Sequence, residues 1–307
     1  MNPPNAGPAG SLLACGSHSL LIVPASRNDR YARAAGTGVD AVILDLEDSV
    51  APAAKPQARQ HVAAALREAS GVPLLVRINH PSSAEFALDV KALVAGGRLA
   101  GVCVPKVDGP EDLAPVNSAL QEIERAAGVE PGSIIMIPTV ESAIGLRSAY
   151  DVIRQFPRVR GVCLASAADG DFIESIAARW TPKGEALSYA RGRLVCDARA
   201  AGLTLVLDGA FQFLDDEAGL AAECETVRNY GFSGKVAIHP KQVPAIQNAF
   251  RPSESDVQQA HELIEAFRVA ESNGHGVVQH RGSMIDYANV RRARTIIAHA
   301  ARAKLVA

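Results

Sequence analysis

Glu141 closes an apolar run, Ile134–Val140, and the acidic turn Ala168-Asp169-Gly170-Asp171 follows the next such run, Gly161–Ser166. Two or three carboxylate oxygens with water make a site for magnesium, a hard ion that keeps waters for a substrate to displace. No Cys/His cluster argues for zinc. Asp169 and Asp171 alone would serve as a helix N-cap or a solvated turn, so it is their pairing with Glu141 that points to a metal. Arg77, in Leu74-Leu75-Val76-Arg77-Ile78-Asn79, follows three apolar residues and would be costly to bury without a partner. A substrate carboxylate or a developing oxyanion would satisfy its fork of donors. So would a salt bridge to Asp45, Glu47 or Asp48. Lys106 raises Schiff-base chemistry, and His239, in Ala237-Ile238-His239-Pro240, suits an acid, a base or a hydrogen-bonded structural residue. Arg77 and Glu47 are therefore candidate catalytic residues. Arg77, Asp45, Lys106 and His239 are candidate substrate contacts, and Glu141, Asp169 and Asp171 are candidate metal ligands.

These residues are far apart in sequence, and only a particular fold can gather them. Eight short runs rich in Val, Ile and Leu recur along the chain: Ser19–Ala25, Ala41–Glu47, Pro73–Asn79, Gly101–Val107, Ile134–Glu141, Gly161–Ser166, Leu205–Asp208 and Lys235–Pro240. Such runs mark strands buried on both faces of a parallel sheet. Between them lie amphipathic segments such as Lys55–Ser70, Glu111–Ala127, Glu185–Ala201 and Asp216–Tyr230. Eight alternations favour an α/β fold closed as a (β/α)8 TIM barrel over an open sheet. Asp45, Glu47, Arg77, Lys106, Glu141, Asp208 and His239 all fall at the carboxyl ends of the runs, the face on which such barrels carry their sites. Beyond Pro252 come a helix over Glu254–Ser272, a glycine-rich turn, a short strand Val277–His280, the segment Gly282–Asp286 and a helix from Tyr287 to Lys304. The chain thus divides into a tail, 1–17, a barrel domain, 18–250, and a C-terminal helical lid or oligomerisation segment, 251–307.

A formal net charge of −2 over 307 residues gives no field that would favour nucleic acid or an anionic membrane, so a small-molecule partner is expected. The five cysteines, Cys15, Cys103, Cys163, Cys196 and Cys224, are scattered and odd in number, which suits reduced packing residues in the cytoplasm better than a disulfide framework. Leu12-Leu13-Ala14-Cys15 has the look of a lipoprotein cleavage site but lacks a preceding basic residue and a long apolar run. A disordered tail is the expectation there. No other segment approaches the roughly 20 apolar residues that span a bilayer.

From Ser19 to about Ala300 the chain resembles the citrate lyase β-subunit-like branch of the HpcH/HpaI aldolase superfamily. The motifs that carry the likeness are Ser19–Pro24, Ala41–Val50, Val76-Arg77-Ile78-Asn79, Val104-Pro105-Lys106-Val107, Glu141-Ser142-Ala143, Tyr189-Ala190-Arg191, Gly234–Pro240 and Gly282–Asp286. The resemblance implies a (β/α)8 barrel and a magnesium ion held by Glu141 and an aspartate. It implies cleavage of a malyl-, citramalyl- or citryl-type coenzyme A thioester to a 2-oxo acid and an acyl-CoA, and a homotrimer or larger homo-oligomer. It also implies that Asp286, on a C-terminal lid, enters a neighbouring subunit's site as general acid/base. The branch's usual arginine and glycine around the first strand are here His18 and Ala25, and its Phe-Gly-x-x-Asp metal loop is altered to Ala165–Asp171. Spacing from the sixth strand favours Asp169 as the ligand, and spacing to Tyr189-Ala190-Arg191 favours Asp171, which is preferred. Three rival expectations stand beside the lyase: a thioester hydrolase on the same site, a carrier-protein-dependent citrate lyase β-subunit, and a catalytically silent binding protein.

Overall fold

The computed structural model describes residues 18–27, 29–69 and 71–306, so the tail 1–17, Cys15 and Ser70 lie outside the described residues. Eight parallel strands close into a barrel in chain order: β1 Ser19–Pro24, β2 Ala41–Asp45, β3 Leu74–Arg77, β4 Gly101–Val104, β5 Ile135–Val140, β6 Gly161–Leu164, β7 Leu205–Asp208 and β8 Gly234–Ala237. The seam pairs Leu20 with Val236 and Leu21 with Ala237. Backbones approach closely there, and a Cβ on Gly234 would run into the His18 carbonyl.

Side chains alternate along each strand, and the alternation sorts them into two cores. Leu20, Ala41, Ile43, Leu75, Cys103, Ile135, Ile137, Cys163, Leu205 and Leu207 form a cluster built from strands alone, which fills the barrel. Their neighbours, such as Leu21, Leu44, Val76, Val102, Met136, Leu164 and Val206, pack outward against helices. The outer layer comprises α1 Arg30–Ala35, α2 Lys55–Glu68, α3 Glu85–Val94, α4 Pro110–Ala127, α5 Ala143–Gln155, the one-turn α6 Asp171–Ser175, α7 Ser188–Ala200, α8 Glu217–Tyr230 and α9 Gln242–Phe250. Terminators match the chemistry of helix ends: Gly128 after α4 and Gly231 after α8 adopt the left-handed conformation that glycine takes without strain. Cys103, Cys163 and Cys224 are buried thiols; Cys196 is exposed on α7, so it is not the packing residue expected of it.

The chain separates into two compact units, the second beginning at Arg251. That unit holds α10 Glu254–Ser272, a hairpin of β9 Val278–His280 and β10 Ser283–Ile285, and α11 Tyr287–Val306. Phe267, Ile285 and Val290 form its small core. Ser253 and Asp256 make a capping box that starts α10. Among the described residues, no helix is long and apolar enough to cross a membrane.

Candidate active site

Asp45 ends β2 with its side chain directed into the barrel, and it is fully buried. Its Oδ1 accepts the Glu47 N–H at 2.9 Å and its Oδ2 accepts the Ser49 N–H at 3.0 Å and the Ser49 hydroxyl, which folds residues 45–49 into a turn. The turn presents Glu47 and Asp48. On the next strand Arg77 donates Nε to Asp45 Oδ1 and Nη2 to Asp45 Oδ2, each at 2.6 Å, and places Nη1 3.2 Å from Glu47 Oε2. Burial alone would raise the Asp45 pKa, but Arg77 and the turn hold it below the ordinary carboxylate range. Both Asp45 oxygens are thus committed to Arg77 and to the turn.

Lys106 follows β4 with φ 52, a left-handed conformation uncommon for a lysine. The turn points its N–H at Glu141 Oε1, 3.1 Å away at the end of β5. Its ammonium lies 2.7 Å from Glu47 Oε1, 3.2 Å from Asp48 Oδ2 and 3.6 Å from Asp171 Oδ2. Burial opposes its charge, but the hydrogen bond and charge of Glu47, with Asp48, raise its pKa above that of an ordinary lysine. A Schiff-base lysine must spend time as the neutral amine, so this environment argues against that chemistry. Glu141 is buried, and burial pushes its carboxyl up to about 7 against the pull of Arg77 and Lys106. Burial likewise raises Glu47 despite those two cations.

The ends of β2 to β5 and the start of α6 thus carry five carboxylates, Asp45, Glu47, Asp48, Glu141 and Asp171, against two cations, Arg77 and Lys106. No cluster of three or more His, Cys, Asp or Glu side chains already set to enclose a metal occurs among the described residues. The hard-oxygen donors and the excess negative charge fit a divalent cation nonetheless, and Glu141 is short of positive charge in its buried setting.

The sequence model of the HpcH/HpaI aldolase/citrate lyase family matches residues 18–240, and one for carbon–carbon bond lyases of the TIM-barrel fold matches 187–303. The citrate lyase subunit beta of Haemophilus influenzae is 33% identical over 285 residues, spanning 92% of this chain and 96% of its own. The chain belongs to the HpcH/HpaI aldolase/citrate lyase family. A (3S)-malyl-CoA thioesterase of Cereibacter sphaeroides is 32% identical over 92% of this chain and 94% of its own. An L-malyl-CoA/beta-methylmalyl-CoA lyase of the same species is 32% identical over 91% and 93%. A crystal structure of the protein CitE from Mycobacterium tuberculosis with magnesium, acetoacetate and coenzyme A superposes with a TM-score of 0.73 at 28% identity, covering 94% of this chain and 99% of that one. The citrate lyase and malyl-CoA lyase relatives are carbon–carbon lyases.

The other residues singled out in the sequence have partners of their own. Asp208, grouped by sequence with the barrel-end residues, points outward: Leu205 and Leu207 face the barrel interior, and Asp208 meets Lys235 at 2.6 Å and Arg191 at 3.2 Å in the helix layer. With Glu223, 2.8 Å from Arg191 and 2.9 Å from Lys235, they form a buried, charge-balanced quartet that ties β7 and β8 to α7 and α8. His239 accepts the Lys241 N–H on Nδ1 at 3.2 Å in the turn after β8. Asp169 is exposed with φ 54, whereas Asp171, the first residue of α6, is the acid that reaches Lys106. In the second unit Asp286 caps α11: its Oδ1 accepts the N–H groups of Ala288 at 2.8 Å and Asn289 at 3.2 Å, while its own N–H donates to the Asn289 side chain at 2.9 Å.

Sequence reasoning missed the support behind Glu47. Lys55, buried at the start of α2, donates to the Leu46 carbonyl at 2.7 Å, the Glu47 carbonyl at 3.0 Å and Asn79 Oδ1 at 2.6 Å. Asn79 is held in turn by Asp89 at 2.7 Å, and Asp89 by Arg59 Nε at 2.7 Å. A signal was present: Lys55 and Arg59 lie on the same helical stripe as Ala58, Val62 and Leu66, the face that α2 buries.

Proposed function

We propose that this chain is a magnesium-dependent carbon–carbon lyase that splits a hydroxy-dicarboxyl coenzyme A thioester of malyl, citramalyl or citryl type into a 2-oxo acid and an acyl-CoA. The observation that carries the reading is the arrangement of Glu141 on the Lys106 N–H, Asp171 and Glu47 on the Lys106 ammonium, and Glu47 on Arg77. Glu141 and Asp171 would hold the ion, with water and substrate oxygens completing its shell. Bound there, magnesium supplies a Lewis acid that lowers the pKa of the substrate hydroxyl and favours the carbonyl that forms as the bond breaks. Arg77, fixed by Asp45, stabilises charge on the oxo-acid fragment. Glu47 acts through Arg77 and Lys106, because its two oxygens are already engaged by them. As the carbon–carbon bond breaks the substrate hydroxyl loses its proton to water, and Asp286, contributed by a neighbouring copy in a homotrimer or larger assembly, protonates the departing enolate. Lys106 and His239 remain proposed substrate contacts. Free thiols at Cys103, Cys163, Cys196 and Cys224 suit a reducing compartment such as the cytoplasm.

Product analysis with magnesium and malyl-, citramalyl- and citryl-CoA tests the reading. A 2-oxo acid with a shorter acyl-CoA is expected. The likeness to a malyl-CoA thioesterase favours one alternative, in which free coenzyme A and an intact hydroxy acid accumulate instead.

Metal binding should also depend on pH in a set direction. Glu141 holds its proton up to about 7, well above its value in an unfolded chain, so between the ordinary carboxylate range and pH 7 the metal-free fold binds a proton that the unfolded chain has lost. Folding stability without metal therefore falls as pH rises through that window. Magnesium requires the carboxylate, so its affinity should rise by up to about tenfold per pH unit below 7 and level off above, with proton release on binding. Calorimetry in buffers of different ionisation heat checks both.

A further inference from the structure

The two cations of the site are built differently. Arg77 is 21% exposed and clamped by a fully buried partner, Asp45, through two parallel hydrogen bonds. Lys106 is 42% exposed on a flexible stem, and apart from Glu47 its partners are open to solvent: Asp48 is 60% exposed and Asp171 49%. Losing Arg77 would strand a buried charge, whereas swinging Lys106 aside leaves two carboxylates that water can solvate. Lys106 also bridges three parts of the face, linking the turn after β2 to the start of α6 while its own N–H anchors Glu141. One residue thus contacts both proposed metal ligands, one through its backbone and the other through its charge.

We propose that Lys106 is a positioning residue that acts as the site's built-in counter-ion: its ammonium holds Asp171 and the Glu47–Asp48 turn together and must release Asp171 for a divalent cation to bind. The inference rests on the metal reading above and assigns the cation that competes with the metal. Its backbone and side chain do opposite things. The left-handed turn at Lys106 supplies the N–H that fixes Glu141 and so favours the metal, while the ammonium opposes the metal by occupying Asp171. Both effects are separable, because asparagine tolerates a left-handed backbone and removes the charge.

The test is magnesium titration by calorimetry, at low ionic strength, of wild type, Lys106→Asn and Lys106→Met, without substrate. Removing a unit charge so close to the ion should tighten magnesium binding about tenfold in both variants, and the gain should shrink as salt is added. Lys106→Arg, which keeps the charge, should bind as wild type does. Equal or weaker binding by both neutral variants, with wild type still binding, would overturn the counter-ion role while leaving the metal site in place. No binding by any of these chains would overturn the metal reading and this inference together.

Discussion

Replacing Arg77 with Met should destabilise the fold by about 3–5 kcal/mol, as expected when one partner of a buried pair is removed and the other is left behind. The reason lies in Asp45, which is fully buried and receives two 2.6 Å hydrogen bonds from the guanidinium. The sign of the pH dependence should change with it. In wild type the pair contributes stability above the ordinary carboxylate range and loses it as pH falls through the depressed Asp45 value. Without Arg77, desolvation acts unopposed by that partner, and the variant should become relatively more stable as acid protonates Asp45. Adding Asp45→Asn should recover part of the lost stability, since it removes the stranded charge and its amide oxygen still accepts one of the two N–H groups of the turn, while the NH2 replaces the other acceptor. Cleavage should stay at least about 100-fold down in the double variant, because the missing group is a preorganised donor for developing charge. Denaturant titration across pH, beside turnover of the folded fraction, separates the two effects. Equal stability of Arg77→Met and wild type would contradict the account of Asp45.

Asp286→Asn should lower the rate of carbon–carbon cleavage on the order of 100-fold or more, the ordinary worth of a positioned acid/base group. Asparagine is as good an N-cap as aspartate, so the contacts to Ala288 and Asn289 that start α11 survive in that variant. Thermal stability and magnesium affinity should therefore stay near wild type while turnover falls. Asp286→Ala would lose the cap as well, at about 1 kcal/mol, and serves as the contrast. If Asp286→Asn turned over as fast as wild type, Asp286 would be a helix cap and nothing more.

The barrel was legible because a parallel sheet covered on both faces requires strands that are apolar throughout, and runs such as Ala41-Val42-Ile43-Leu44 stand out against polar connections. That same uniformity hid which way the last residue of each strand points. Ala41-Val42-Ile43-Leu44-Asp45 and Leu205-Val206-Leu207-Asp208 both end in Leu-Asp, yet Asp45 enters the barrel and Asp208 the helix layer. A strand with one wet face would reveal its phase by alternation. A doubly buried one does not. Which of Asp169 and Asp171 reaches Lys106 was hidden for another reason: it depends on a left-handed residue at Asp169 and on where α6 begins, both set by the loop's packing rather than by any periodic pattern. The polar support under Glu47, by contrast, was readable as charge on the buried stripe of α2.

In the function proposed above, Glu141 and Asp171 grip one divalent cation. Magnesium titration of wild type, Glu141→Gln, Asp171→Asn and Asp169→Asn tests it most directly. One ion should bind per wild-type chain, Glu141→Gln and Asp171→Asn should each weaken it on the order of 100-fold, and Asp169→Asn should bind nearly as wild type does. Undiminished binding by Glu141→Gln, or a loss confined to Asp169→Asn, would contradict the claim.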